Sequence, residues 1–314
     1  MLASLIVCTR NRAASLDRFL SCVVGLNLPA ASDWEFLVVN NGSTDQTESV
    51  IAKYKAVLPI RSVFEPEAGL SNARNRGTDE ARGDYIIWTD DDVVPHDDFI
   101  CAYLRAFKAN PNAVVFGGKI LPVLEAPVSE PFRKNLYNLR YLVAHRDFGN
   151  EPIPLSVAED HIPYGANFAL RTKEQRVHRY DPNLGVAPGR RLGGEEVAVI
   201  KDLLDHGYSG VWVPESKVDH MISISRQHED YVSEFYLALG DTIETMRFLS
   251  PSRKPSVGSR PPLNIAVKKR ISHLLYVLLR QCGFPSYLRF LASYSYNCGA
   301  LQCWQRTAAQ RKLD

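Results

Sequence analysis

The chain has 314 residues, of which 45% are hydrophobic and 23% are charged, a composition that excludes an intrinsically disordered protein. Its length allows one large domain with an appendage or two modest domains. The formal net charge of +2 conceals an asymmetry, because Pro251–Asp314 has eleven Lys and Arg against one acid, for a net charge of +10, and residues 1–250 carry −8. An acidic body and a basic tail indicate different partners for the two parts.

The first 89 residues alternate between strand-like apolar runs and segments with helical spacing of apolar residues. The predicted strands are 4–9, 34–40, 60–65 and 85–89, and the predicted helices are 12–25, 46–57 and 70–82. This alternation is typical of an open, mostly parallel α/β sheet flanked by helices. In such sheets, ligands bind beyond the carboxyl ends of the strands.

The rest of the chain continues this pattern and then becomes helical. We predict helices at 99–110 and 195–207, strands at 113–120 and 165–171, and a last strand that ends near His220. Residues 122–160 are irregular and contain several prolines. The domain organisation expected is an α/β catalytic domain at 1–225 and a helical, basic C-terminal region at 226–314, with a Pro/Ser/Arg-rich linker at about 250–262.

Cysteine usage and the chain start indicate an intracellular protein. None of the six cysteines forms a CxxC pair, so we expect reduced, structural thiols. The first residues lack a basic region before their short apolar run, so no signal peptide is expected. No stretch reaches the roughly 18 apolar residues that a membrane span needs.

Three consecutive carboxylates, Asp90, Asp91 and Asp92, follow the predicted strand at 85–89. An acidic cluster at a strand end has either open solvent or a cation to relieve its repulsion. The turns after the strands at 4–9 and 34–40 are also polar, so all three segments are expected to line one edge of the sheet.

Seven motifs in order resemble the family 2 inverting glycosyltransferases with a GT-A fold. They span roughly residues 4–221 and are VCTRNR (7–12), VVNNGSTDQT (38–47), EAGLSNARNRG (67–77), WTDDDV (88–93), YGANFALR (164–171), GGEEV (193–197) and VPESKVDH (213–220). The resemblance implies a nucleotide-sugar donor, a divalent cation, and a GT-A-type sheet with a C-terminal helical extension.

The resemblance also implies roles for the acidic cluster. Asp92 corresponds to the metal ligand of the family's DxD motif, and Asp90 and Asp91 face ribose, sugar or metal-bound water. His220 corresponds to the family's C-terminal metal-binding histidine, although a lone histidine after a strand is often structural. Oxygen ligands favour Mg²⁺ or Mn²⁺, and an added imidazole favours Mn²⁺.

Five further residues are candidates for nucleotide-sugar binding, namely Thr9, Arg10, Asn40, Asp45 and Arg74. Asn40 stands where many family members have an aspartate that reads the nucleobase, and an amide can also pair with a base edge. Asp45 either contacts ligand or caps the following helix. Arg74 either binds phosphate or carboxylate, or takes part in an ordinary salt bridge.

Glu195 and Glu196 are the candidate catalytic bases, because GGEEV matches the family's GED-type motif at a helix start. Glu196 aligns with the usual aspartate and is favoured, with Glu195 as the other candidate. Acids in the first turn of a helix are also stabilised by its dipole without any catalytic role.

The basic tail is expected to contact anionic lipid. Ile265–Arg280 combines a Lys/Arg cluster with an apolar run too short to cross a bilayer, a pattern typical of an interfacial helix. The alternative is a helix packed on the protein with a solvated basic rim. No recognition motif supports nucleic-acid binding.

Together these features predict a metal-dependent inverting glycosyltransferase, peripheral on the cytoplasmic face of a membrane, that acts on a saccharide or lipid-linked acceptor. The alternative is a non-catalytic nucleotide-sugar-binding protein that retains the fold. A sugar nucleotidyltransferase is disfavoured, because VCTRNRAAS lacks the glycine-rich loop that such an enzyme needs near its N-terminus. Sugar, nucleotide, acceptor and linkage are left open by the sequence.

Overall fold

The computed structural model describes residues 3–249 and 261–310, which form two compact units. The first unit comprises residues 3–123, 144–188 and 195–221, and the second comprises 124–143, 189–194 and the described residues from 222 onwards. Three segments of the expected catalytic domain at 1–225, residues 124–143, 189–194 and 222–225, therefore group with the second unit. The predicted linker at about 250–262 lies outside the described residues except at its last two positions.

The elements follow one another in a mixed order of strands and helices. The strands are β1 (Ala3–Thr9), β2 (Trp34–Asn40), β3 (Ile60–Phe64), β4 (Tyr85–Thr89), β5 (Val93–Pro95), β6 (Val115–Leu124), β7 (Asn167–Arg171) and β8 (Gly210–Ile222). The helices are α1 (Ala13–Val24), α2 (Thr47–Tyr54), α3 (Leu70–Glu80), α4 (Phe99–Ala109), α5 (Glu130–Lys134), α6 (Thr172–Val177), α7 (Glu195–Asp205), α8 (Glu229–Phe248), α9 (Leu263–Gln281) and α10 (Tyr287–Gln310).

The strands form one eight-stranded sheet in the order β3-β2-β1-β4-β7-β6-β8-β5. β1 pairs in parallel with both β2 and β4, and β2 pairs in parallel with β3. β7 is antiparallel to β4 and β6, and β5 is antiparallel to β8. The parallel half is the predicted α/β arrangement, and the antiparallel strands make the complete sheet mixed.

The core of the first unit lies on both faces of this sheet. Because side chains alternate along a strand, Leu5 and Val7 belong to one apolar cluster while Ile6 belongs to the other. Helices cover both faces, which is why β1 and β2 consist almost entirely of buried residues.

Helix α3 lies close to the sheet at Gly77. A Cβ atom at this position would lie 3.1 Å from side-chain atoms of both Ile6 and Trp88, so glycine permits the close approach. Arg74, one turn earlier on the same helix, is thereby held against the carboxyl half of the sheet.

Several elements differ from the sequence prediction. β5 and α6 were not expected, since three and six residues are too short to show a periodic pattern. β6 extends to Leu124, beyond the predicted end at 120, and α5 lies inside the segment 122–160 that was expected to be irregular.

The second unit is helical, with its own apolar core. Phe132 of α5, Val232 of α8 and Leu288 of α10 are buried members of that core. In the part of the chain that the structure describes, no helix combines the length and the apolarity needed to cross a membrane.

Candidate active site

The polar residues that follow the parallel strands lie at one edge of the sheet, in the first unit. The register pairs Thr9 with Asn40 and Val7 with Thr89, so β1 and β2 end level with each other and β4 ends two residues earlier beside them. The Thr9 hydroxyl donates a hydrogen bond of 2.7 Å to Asp91 Oδ2. This juxtaposition of strand ends is what the sequence predicted.

A cavity of about 460 Å³ opens at this edge, within the first unit. It is lined by Cys8, Thr9, Arg10, Asn11, Arg12, Asn41, Gly69, Leu70, Ala73, Asp90, Asp91, Asp92, Val186, Ala187 and Pro188. Burial raises the pKa of the Cys8 thiol to about 12, so this cysteine is an inert part of the wall rather than a nucleophile.

Arg12 neutralises part of the acidic triplet. Its Nε lies 2.9 Å from Asp91 Oδ1, and its Nη2 lies 2.9 Å from Asp92 Oδ2. Burial opposes the charge of Arg12, but the attraction of Asp91 and Asp92 outweighs it and raises the pKa of the guanidinium. Arg12 was not among the predicted site residues. Arg12 lies in the motif VCTRNR, two positions after Arg10, and this position could have indicated a role in the site. The sequence analysis instead interpreted Arg12 as the first residue of a helix.

Asp91 is the most deeply buried member of the triplet and is 4% exposed. Burial raises its pKa to about 7, although the charge of Arg12 opposes this shift. Partial burial raises the pKa of Asp90. Because the side chain is 38% exposed, solvent screens part of this effect.

Two predicted nucleotide contacts, Asn40 and Asp45, have partners within the protein. Asn40 Nδ2 donates to Glu48 Oε1 at 2.5 Å, and its Oδ1 accepts from the Ser43 N–H at 2.9 Å. Asp45 Oδ1 accepts from the Thr47 N–H at 3.1 Å, within the first turn of α2. These contacts shape the turn after β2.

Arg10 also supports that turn. Its Nη1 donates to the carbonyl oxygens of Asn41 and Gly42, the latter at 2.9 Å. Asp45 Oδ2 accepts from the Ala13 N–H at 2.9 Å, at the start of α1. The loops after β1 and β2 are therefore linked by several hydrogen bonds, which hold the cavity wall in place.

Arg74 connects the acidic triplet with the first turn of α7. Its side chain is 3% exposed, and its Nη1 lies 2.8 Å from Glu195 Oε1 and 3.8 Å from Glu196 Oε2. Its Nη2 lies 3.5 Å from Asp90 Oδ1. Burial opposes its charge, yet the attraction of Glu195 raises the pKa of Arg74 further above its ordinary value, so this group is always charged.

An aromatic cage surrounds the Arg74 guanidinium. Its central carbon lies 5.9, 5.5 and 5.6 Å from the ring centroids of Trp88, Phe168 and Tyr180. Cation–π attraction partly replaces the water that Arg74 loses on burial. Phe168 and Tyr180 come from distant parts of the sequence, and no pattern around them indicated this role.

Glu195 and Glu196 differ in environment. Glu195 has a side chain 3% exposed, and burial together with the neighbouring charge of Glu196 raises its pKa to about 7, against the opposing effect of Arg74. Glu196 has a side chain 13% exposed, and its Oε1 accepts from the Gly165 N–H at 3.1 Å. Glu196 is thus the better exposed of the two candidate bases.

His220 reaches the acidic triplet through the pairing of β5 with β8. The register places His220 opposite Val93, and the Met221 N–H donates to the Asp92 carbonyl at 3.2 Å. His220 Nε2 lies 3.8 Å from Asp92 Oδ1. The two predicted metal ligands are therefore neighbours in space, although 128 positions separate them in the sequence.

This pair fits a divalent cation. A carboxylate oxygen and an imidazole nitrogen less than 4 Å apart are donors that Mn²⁺ accepts together. The side chains of Asp92 and His220 are 12% and 9% exposed, so the donors are largely shielded from bulk water. Two protein ligands are also in keeping with sites where substrate phosphates and water complete the coordination.

Comparison with known protein sequences relates the chain to enzymes that transfer sugars. Residues 4–153 match the family model described as glycosyl transferase family 2. The glucosyl-dolichyl phosphate glucuronosyltransferase of Haloferax volcanii is 24% identical over 237 residues, which cover 74% of this chain and 73% of that protein. The validoxylamine A glucosyltransferase of Streptomyces hygroscopicus subsp. jinggangensis is 34% identical over 119 residues, but these cover 37% of this chain and only 28% of that protein.

Solved structures of similar fold include a mannosyltransferase and a fragment of TarS. A mannosyltransferase from Pyrobaculum calidifontis, in complex with GDP-Man and Mn²⁺, is 17% identical with a TM-score of 0.58, covering 99% of this chain and 75% of that one. Residues 1–349 of S. aureus TarS are 15% identical with a TM-score of 0.53, covering 98% of this chain and 92% of that one. At these identities the likeness concerns the fold, and it confirms the predicted GT-A-type sheet with C-terminal helices.

Proposed function

Because this chain belongs to glycosyl transferase family 2 and is a glycosyltransferase, we propose that it transfers a sugar from a nucleotide-sugar donor to a saccharide or lipid-linked acceptor by single displacement with inversion. The observation that carries this proposal is the position of Arg74, which contacts Asp90 on one side and Glu195 on the other. The buried guanidinium of Arg74 thus contacts both the donor-binding acidic cluster and the pair of candidate bases.

The donor occupies the cavity beside Asp90–Asp92. Support comes from its volume of about 460 Å³, which is in the range of small-ligand sites, and from its place at the carboxyl ends of parallel strands. Solved structures of similar fold contain GDP-Man with Mn²⁺ or UDP. Thr9 holds Asp91 in place by a hydrogen bond of 2.7 Å, and Arg12 does so by an ion pair of 2.9 Å.

Asp92 and His220 hold the divalent cation, Mn²⁺ or Mg²⁺. When bound, such a cation supplies the positive charge that a departing nucleoside diphosphate requires. Arg12 is within 2.9 Å of Asp92 and orients that carboxylate.

Glu196 is the base that accepts the proton of the acceptor hydroxyl. The acceptor oxygen forms its bond to the anomeric carbon from the face opposite the diphosphate, whose bond to the same carbon breaks, and the configuration is inverted. The Gly165 N–H fixes one oxygen of Glu196, and Glu195 anchors the start of α7 through Arg74. Of the two neighbouring carboxylates, Glu196 thus transfers the proton and Glu195 positions the helix.

The second unit attaches the enzyme to the inner face of a membrane. Helix α9 exposes apolar side chains along one face, namely Leu263, Val267, Ile271, Leu274 and Leu278, which are between 43% and 78% exposed. Lys268 and Arg270, both exposed, flank this apolar face. A helix with exposed apolar side chains and a basic rim fits the surface of an anionic bilayer, where a glycolipid acceptor would also be located.

The decisive experiment measures nucleoside diphosphate release from a panel of nucleotide sugars, with Mn²⁺, with Mg²⁺ and with chelator. We expect release that is selective for one donor and requires the metal. Tight donor binding by calorimetry without turnover would instead favour a protein that binds nucleotide sugars without transferring them.

A further inference from the structure

Three potential metal ligands meet at the C-terminal end of α7, in the first unit. His178, Asp202 and His206 each offer one ligand atom, and these atoms lie within 4.8 Å of one another. Among the described residues, this is the one group of three or more histidine, cysteine or carboxylate side chains with that property. Neither the motifs of the sequence nor the proposed transfer reaction involves it.

Asp202 is the centre of the group. Its Oδ2 lies 2.5 Å from His178 Nδ1, and its Oδ1 lies 3.3 Å from His206 Nδ1. The two imidazole rings lie edge to face, with centroids 5.4 Å apart. His178 therefore directs its Nδ1 at the Asp202 carboxylate, and His206 Nδ1 lies beside the same carboxylate while it is hydrogen-bonded to the Asp202 backbone carbonyl at 2.7 Å.

The backbone fixes this arrangement. Asp202 and His206 are four residues apart at the end of a helix, a spacing that places side chains on the same face. His178 is held from the other side, because its N–H donates to the Glu174 carbonyl and its ring edge contacts Tyr208. Its side chain is 12% exposed, whereas those of Asp202 and His206 are 50% and 62% exposed.

The electrostatic surroundings favour a cation. The C-terminal end of α7 carries the negative end of the helix dipole, and Asp205 adds another exposed carboxylate in the same turn. Arg179, the residue after His178, forms an ion pair with Asp79 on α3, its Nη2 2.8 Å from Asp79 Oδ2. One of the two basic residues adjacent in sequence to the group is thus engaged elsewhere, the other being Lys201.

We propose that His178, Asp202 and His206 bind a divalent transition metal such as Zn²⁺, with solvent completing the coordination. Two imidazoles and one carboxylate are ligands that zinc accepts readily, whereas Mg²⁺ favours oxygen alone. The metal joins the segment after α6 to the last turn of α7. Glu195 and Glu196 stand at the other end of α7, about 10 Å from Asp202 along the helix axis. The metal therefore stabilises the helix that carries the candidate base.

Zinc calorimetry with the full-length chain tests this site, after removal of any affinity tag. All measurements use an Asp92→Asn/His220→Gln background, so that the candidate catalytic metal ligands do not contribute and the result is independent of the proposed transfer reaction. In that background we expect about one equivalent of Zn²⁺ to bind and to raise the melting temperature. Co²⁺ should give the visible absorption bands of a site with imidazole ligands.

The matched pair Asp202→Asn and Asp205→Asn decides the outcome, because both remove one negative charge from the same turn of α7. Asp202→Asn should weaken Zn²⁺ binding by more than the roughly 10–100-fold that loss of an outer-shell partner costs, and Asp205→Asn should leave it nearly unchanged. His206→Gln, at an exposed position, should behave like Asp202→Asn without disturbing the fold. Equal losses in both aspartate variants, full binding in Asp202→Asn, or no binding in the background protein would overturn the proposal.

Discussion

Arg74 Nη1 lies 2.8 Å from Glu195 Oε1, and both side chains are 3% exposed. This buried ion pair joins α3 to the first turn of α7 across 121 positions of the sequence. Three carboxylates, Asp90, Glu195 and Glu196, lie within 3.8 Å of this one guanidinium. The number of carboxylates at this point of the first unit therefore exceeds the number of guanidinium groups. A divalent cation bound together with the donor would offset that excess of negative charge.

Removal of Arg74 should destabilise the protein strongly. Arg74→Ala leaves buried carboxylates without a counter-charge, for which the expected cost is about 3–5 kcal/mol in the free energy of unfolding. Arg74→Lys keeps the charge but loses the two-sided contact, so an intermediate loss is expected. Chemical denaturation measures both.

The matched control for this change is Arg76→Ala on the same helix. Arg76 is 44% exposed and pairs with Glu80 at 3.0 Å, so its loss should cost less than about 1 kcal/mol. If Arg74→Ala and Arg76→Ala have similar stability, the Arg74 network contributes little to the fold.

The stability of the ligand-free protein should depend on Glu195 in a defined pH window. Burial and the charge of Glu196 raise the pKa of Glu195 from its ordinary 4.5 to about 7. Between these values the folded state binds more protons at this carboxyl than the unfolded state, so its contribution to stability is lost as the pH rises. The slope for one such group approaches about 1.4 kcal/mol per pH unit.

Glu195→Gln removes this titration, because an amide does not ionise. Denaturant unfolding between pH 5 and 7.5 should therefore show the variant gaining stability relative to the wild type as the pH rises. Parallel curves for the two proteins would mean that Glu195 is ionised throughout this range.

The arrangement of the sheet edge was predictable because it follows from local patterns. Apolar runs locate β1, β2 and β4, and parallel strands bring their carboxyl ends together, so Thr9 and Asp91 could be expected to meet. The family motifs then indicated which acids to examine. Nothing beyond short-range periodicity and motif order was needed for that step.

The contacts that organise the site could not be read from the sequence in the same way. Arg74 contacts Glu195 because α3 approaches the sheet closely at Gly77 and the first turn of α7 lies beside α3. Arg12 was interpreted as the start of a helix, since a salt bridge to Asp92 across 80 positions leaves no periodic signal. The three-residue strand β5, which pairs Val93 with His220 and so brings His220 close to Asp92, is too short for pattern recognition.

Asp92 and His220 should both be required for metal-dependent release of the nucleoside diphosphate. Asp92→Asn removes the carboxylate charge and His220→Gln removes the imidazole, so each should raise the Mn²⁺ concentration needed for half-maximal release by at least about tenfold. Donor hydrolysis or transfer, followed during a Mn²⁺ titration, measures this.

His96→Gln is the control for the metal experiment. His96 stands just after β5 and lies 3.0 Å from Asp219, so its loss changes a histidine near the same strand pair without touching Asp92. A Mn²⁺ requirement that is equal in His96→Gln and His220→Gln would remove His220 from the metal site.

Glu196→Gln should separate proton transfer from donor binding. A lost general base typically lowers the rate by about 10²–10⁴-fold, whereas the donor cavity does not include residue 196 and its affinity should change little. Transfer kinetics with the selected donor, together with calorimetric donor binding, measure the two effects separately.

Glu195→Gln distinguishes the two candidate bases. Its loss should change the stability profile more than the chemical step, because Glu195 is bound to Arg74 and nearly inaccessible. A rate loss that is larger in Glu195→Gln than in Glu196→Gln, with both proteins folded, would reverse the assignment.

The exposed apolar face of α9 should mediate binding to anionic vesicles. Replacing Ile271 and Leu274, which are 53% and 59% exposed, by serine removes apolar contact area without disturbing a core, so membrane partitioning should fall by at least about tenfold. The double substitution Lys268→Glu/Arg270→Glu should weaken vesicle binding more at low salt than at high salt. At high ionic strength, screening already reduces the attraction between the basic residues and anionic lipid. Co-sedimentation with phosphatidylcholine vesicles, with and without phosphatidylglycerol, measures this.

Val177→Ser, at a residue 76% exposed in the first unit, is the control for loss of an exposed apolar side chain. Equal binding of the wild type to neutral and anionic vesicles would show that the basic residues do not contribute, and unchanged binding of the serine variant would show that the apolar face of α9 does not contact lipid.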